Sequence, residues 1–99
     1  SEIIMERVSD TLRSLIVTVE QSLEDPDINK KLAYLREESG VRNLPISKAP
    51  SRESLVENLC HLIEVSENLF DTELKVWPSG ARNMLARTIS GIEYIYNGV

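Results

Sequence analysis

The sequence predicts an all-α domain: an irregular four-helix bundle with helices near residues 2–24, 27–39, 52–70 and 79–96, and an extended, proline-containing connector at 41–50. Three observations carry this expectation. Apolar residues recur at steps of three and four through most of the chain, the period that gathers side chains on one side of a helix. Pro26, Pro50 and Pro78 stand where such runs begin, a place helices tolerate because their first N–H groups have no internal partner. Gly40 and Gly98 stand where runs stop, each followed by valine, the pattern of a left-handed helix end.

The first helix has the clearest stripe: Ile4, Val8, Leu12, Leu15, Ile16, Val19 and Leu23. At 100° per residue these fall within roughly a third of the circumference, and the rod would be about 30 Å long. Ile16-Val17-Thr18-Val19 is β-branched and a poor helix former. The periodicity continues on both sides, which rules against a strand. Val17 faces the polar side, where a lone exposed valine is ordinary; an oligomer contact is the sharper alternative. Asp25 is the expected N-cap of the second helix, with Asp27 favouring the positive end of its dipole. That helix should bury Ile28, Leu32 and Leu35, with Ala33 and Tyr34 flanking, and close in a Schellman turn at Gly40-Val41.

The connector carries Arg42 and Lys48, and its Leu44 and Ile46 flank Pro45, so both are expected to drop into the bundle as the chain crosses it. A pinned crossing is the plain interpretation. A partner-binding loop is the sharper one, because long ordered loops often carry function. Ser51 should cap the third helix. Its face of Leu55, Leu59, Leu62, Ile63, Leu69 and Phe70 is widened by Val56, Cys60 and Val65, which marks a central helix and a buried thiol. Glu53, Glu57 and Glu64 form an acidic strip along it. A straight helix cannot wrap six or more oxygens around calcium, so this is a solvated face or one that meets a basic partner. Leu74 and Val76 alternate with charges, as in a short extended piece. Trp77 should fold back on the fourth helix as a staple. There Ala81, Leu85, Thr88, Ile89, Ile92 and Tyr96 make the buried stripe. Gly91 inside it costs about 1 kcal/mol against alanine, which implies a close helix crossing.

At 99 residues with 41% hydrophobic side chains, one domain spanning 1–99 can bury its own core. No basic-then-apolar leader is evident, and no stretch approaches about 18 uninterrupted apolar residues. An intracellular, cytoplasmic chain without a membrane partner is expected. The net charge of −5 disfavours general affinity for nucleic acid. Its distribution alternates: −5 over 1–27, +4 over 28–52, −6 over 53–73 and +2 over 74–99. In an up-down bundle this would set unlike charges side by side.

Chemistry-bearing patterns are weak. Cys60 and His61 are adjacent and project about 100° apart on a helix, so they cannot readily share one atom. No second histidine or cysteine exists to complete a zinc site. The four glycines are isolated, so no phosphate-cradling loop is present. The acid pairs Glu37-Glu38 and Asp25/Asp27 sit at helix ends. No enzyme activity, metal or cofactor is expected.

One surface stands out. Asn83, Arg87, Ser90 and Tyr94 are spaced by four, three and four, opposite the buried stripe, and these types bond polar edges and stack. With Leu44 and Ile46 they are the candidate partner-binding residues, the partner being another protein or a second copy. Lys75, Arg82 and Arg87 are the candidates for the alternative, a nucleic-acid-binding domain associated with replication or transcription. About eight residues between the last two helices exceed the 3–4 of a helix-turn-helix. The run Trp77-Pro78 through Arg82 to Leu85 resembles a segment near the C-terminus of some phage and plasmid primase–helicase chains. It covers under a third of the chain, has no ATPase motif beside it, and transfers no functional residue.

Overall fold

The computed structural model describes residues 7–70 and 72–98. Four helices account for the architecture, with no strand among the described residues: α1 (Val8–Glu20), α2 (Ile28–Ser39), α3 (Arg52–Asn68) and α4 (Ser79–Asn97), plus a 3₁₀ turn at Leu74–Val76. Ile4 and the expected start near residue 2 lie outside the described residues, as do Asp71 and Val99. Leu12, Leu15 and Val19 of α1 meet Leu55, Leu59 and Leu62 of α3, and Leu32, Leu35, Leu85, Ile89 and Ile92 complete one core. The three-and-four spacing predicted these positions correctly.

The order of packing differs from an up-down bundle. α1 packs chiefly on α3, α3 on α4, and α2 on α4 and the 3₁₀ turn; α1 and α2 touch little. The ten-residue connector causes this, because it is long enough to carry α3 back beside α1. Charges pair accordingly: Arg13 of α1 bonds Glu67 of α3, and Arg36 of α2 bonds Glu93 of α4. Unlike charges therefore meet across alternate helices, and also between neighbouring segments where Asp25 and Asp27 meet Lys31 and Lys30. The Arg36–Glu93 pair is bidentate, at 2.5 and 2.9 Å.

Helix ends hold most of the local corrections. α1 stops at Glu20 in a Schellman turn without glycine: Ser22 takes φ 53°, and its N–H and that of Leu23 bond the Val19 and Thr18 carbonyls. The early stop leaves Leu23 47% exposed, off the stripe predicted to bury it. α3 ends likewise, with Phe70 left-handed at φ 53° and 91% exposed instead of in the apolar face. Gly40 is left-handed as expected, but the turn is the simpler αL type, its N–H bonding the Arg36 carbonyl. Asp25 does not cap α2. Asp27 occupies that position without a side-chain bond, while the Asp25 carboxylate accepts from the Asp27 N–H at 2.8 Å and the Lys31 ammonium at 2.7 Å. Ser51 caps α3 through the Ser54 N–H.

Between α3 and α4 the predicted extended piece is a 3₁₀ turn that buries Leu74 and exposes Val76. Trp77 goes deeper than a staple: it is 2% exposed within the common core, and its indole N–H bonds the Thr72 carbonyl at 3.0 Å. The predicted close crossing at Gly91 is present. A β-carbon there would lie 2.9 Å from Leu55 Cδ2 and 3.0 Å from Pro50 Cγ. The chain thus passes over α4 at Gly91, where no side chain stands in its way.

Candidate functional site

The connector leaves α2 at Gly40 and lies along α4. It is anchored there by a hydrogen bond in which the Leu44 N–H donates to Ser90 Oγ at 3.0 Å. Ser90 is consequently 3% exposed and belongs to the connector's seat, not to the outer face where helical spacing placed it. Leu44 remains 37% exposed and Ile46 half-buried. Neither plugs into the core as expected; both border the surface that the crossing creates.

Two clefts flank that crossing. The first, about 440 Å³, is walled by Arg42 and Leu44 on one side and by Ser79, Arg82, Asn83 and Arg87 on the other. The second, about 430 Å³, lies between the connector's Pro45, Ile46 and Lys48 and the α3 residues Ser54 and Asn58. Leu44 and Arg87 line both, as the ridge between them. Among the described residues, no acidic side chain lines either cleft. Arg82 is held in place by its Nε, which donates to the Trp77 carbonyl at 3.1 Å, leaving its outer nitrogens free to bond. Arg42 and Arg87 are exposed. A planar guanidinium presents five donors in a fixed fork suited to carboxylates and phosphates. Three of them around one acid-free cleft form a positively charged recess on a chain of net charge −5.

The fold therefore brings together Asn83, Arg87, Leu44 and Ile46 from the candidate partner-binding set, with Ser90 as their bracket. Tyr94 is half-buried and lines neither cleft. Of the candidate nucleic-acid residues, Arg82 and Arg87 share the first cleft, whereas Lys75 sits outside it on the 3₁₀ turn. Arg42 lines the first cleft although it is not among the residues expected there. Its signal was its position just after the Gly40 turn, which aims the connector back toward α4.

Elsewhere, the Cys60 thiol is exposed instead of buried. It lies about 100° around α3 from Leu59, beyond the seam with α1. His61 is exposed as well. Among the described residues, no group of three or more histidines, cysteines or acids could hold a metal ion, and no helix is long and apolar enough to cross a membrane. The Lys31 ammonium, opposed by burial and helped by the Asp27 N–H, holds the Asp25 carboxyl below the ordinary carboxylate value. That site ties α2 to the end of α1, far in character from the basic recess. Comparison with protein-family models, with curated proteins and with solved structures finds no match to this chain.

Proposed function

We propose that this chain is a non-enzymatic protein-interaction or regulatory module, and that its docking surface is the basic recess between the connector and α4. The observation that carries the proposal is the convergence of Arg42, Arg82 and Arg87 on one acid-free cleft rimmed by exposed Leu44. Such a recess suits an acidic segment of a partner protein, with guanidiniums bonding carboxylates and Leu44 and Ile46 offering apolar anchorage. Arg82 and Ser90 pre-position the walls, so little order has to be imposed on binding. Affinity purification with the parent chain and an Arg42→Glu/Arg87→Glu variant tests this. A specific partner recovered by the parent should be lost with the variant; equal recovery contradicts the assignment of the surface.

The same three arginines favour a second interpretation, binding to nucleic-acid phosphates, with Lys75 outside the contact. Neutralising about three phosphates gives a log–log salt slope near −3 on double-stranded DNA. The acidic total disfavours it, as does the segment joining α3 to α4, which is longer than a helix-turn-helix turn. Anisotropy with a mixed DNA and RNA oligonucleotide pool over a salt series separates the two. Binding with that slope, lost in Arg82→Glu/Arg87→Glu, would promote nucleic acid over protein.

A further inference from the structure

We propose that the occupant of the basic recess is the acidic face of α3 on a second copy of this chain, each copy giving its α3 face to the other's recess. The proposal rests on the recess being a docking surface and adds the partner. It comes from the charges that folding leaves over. Across elements, Arg13 pairs with Glu67 and Arg36 with Glu93, while Lys31 and Lys30 pair locally with Asp25 and Asp27. Among the described residues, Glu53, Glu57 and Glu64 of α3 remain exposed without an ion pair, and so do Arg42, Lys48 and Arg87 around the recess. Intramolecular pairing has thus absorbed neither the acidic strip nor the basic recess.

The two surfaces also match in apolar character. Glu53 and Glu57 border a groove of about 290 Å³ that includes Val56 and Cys60. The recess is edged by Leu44, which continues into the Pro45 and Ile46 wall of the second cleft. Each charged patch therefore has an apolar strip beside it, the composition of an interface core with a charged rim. The second cleft, which shares the Leu44–Arg87 ridge with the recess, reaches α3: Ser54 and Asn58 line it, and Glu53 and Glu57 are their immediate neighbours in sequence. A two-fold axis can make such adjacent, complementary patches exchange, giving one closed pair with two equivalent contacts in place of an open chain. Rim charges are screened by salt over about 10 Å at 0.1 M, so the association should weaken as salt rises.

The experiment is light scattering coupled to size-exclusion chromatography on the parent, on Arg42→Glu/Arg87→Glu, on Glu53→Lys/Glu57→Lys, and on an equimolar mixture of the two variants. All substituted positions are exposed, and far-UV circular dichroism checks each fold; Gln replaces the reversed charge in any variant that fails. At low salt the parent should show a concentration-dependent rise toward twice its monomer mass, abolished at high salt. Each variant alone should associate roughly tenfold or more weakly, and the mixture should recover the dimer. A parent that stays monomeric at low salt, or a mixture that does not recover, overturns the proposal. A fluorescent oligo-glutamate peptide separates the two levels. If the parent is monomeric yet binds this peptide through Arg42 and Arg87, only the second-copy partner falls. If the peptide also fails to bind, the docking surface falls with it.

Discussion

Replacing Gly91 by alanine tests the geometry on which the recess depends. In an unobstructed helix the change would stabilise by about 1 kcal/mol, the propensity difference between the two residues. Here the new methyl carbon would stand 2.9 Å from Leu55 Cδ2 and 3.0 Å from the Pro50 ring. Leu55 is 2% exposed and packed in the core, so its methyl cannot swing aside. Pro50 is rigid and abuts the Ser51 cap of α3. Overpacking of this kind costs about 1–3 kcal/mol, which exceeds the propensity gain, for a net loss of about 1 kcal/mol. In a domain of this size that lowers the midpoint by about 4–8 °C. Thermal and urea unfolding followed by far-UV circular dichroism measure it. Leu55→Ala alone should cost about 2–5 kcal/mol. Combined with Gly91→Ala it should cost less than the sum of the two, because the methyl then has space. A Gly91→Ala variant as stable as the parent would refute the close crossing.

Three further outcomes follow from local structure. Phe70→Gly should stabilise by about 0.5–1 kcal/mol by relieving left-handed backbone strain at a side chain that is 91% exposed, and a lower urea midpoint would contradict this. Asp25 has a lowered carboxyl pKa in the fold, so its contribution is complete above the ordinary carboxylate range and is lost as pH falls through the lowered value. The stability gap between the parent and Asp25→Asn should hold from neutral pH to about pH 5 and shrink in more acid solution; a gap that widens there would reverse the sign. Ser90→Ala removes the acceptor for the Leu44 N–H, so amide exchange at Leu44 should accelerate while the exchange of α1 amides, set by the global fold, changes far less.

How much of this was legible in the sequence depended on whether the determining contact was local. The stripes of α1 and α4 and the Ser51 cap were readable because periodicity and capping act within a few residues. Gly40 announced its turn because glycine is the usual left-handed residue. Ser22 and Phe70 make the same conformation without that signal, so α1 and α3 end earlier than their apolar patterns imply. Ser90 looked like a surface residue because helical spacing records only its own helix, and the connector that covers it comes from 46 residues away. Cys60 falls in the expected core because Val56 and Cys60 make the apolar face look broad, whereas the buried apolar α3 positions are Leu55, Leu59, Leu62 and Ile63, with Val56 only partly covered. The basic recess needed the same tertiary fact as Ser90. Arg42 and Arg87 are far apart in sequence, and only the crossing joins them.

The most direct test of the docking surface is a two-dimensional ¹H–¹⁵N titration of the labelled chain at low salt with an oligo-glutamate peptide, at a protein concentration where it is monomeric. Saturable shifts should concentrate at residues 40–48 and 79–91, with α1 and the outer face of α2 unmoved. Shifts that cluster on α1 or α2 and bypass Arg42, Arg82 and Arg87 would contradict the account.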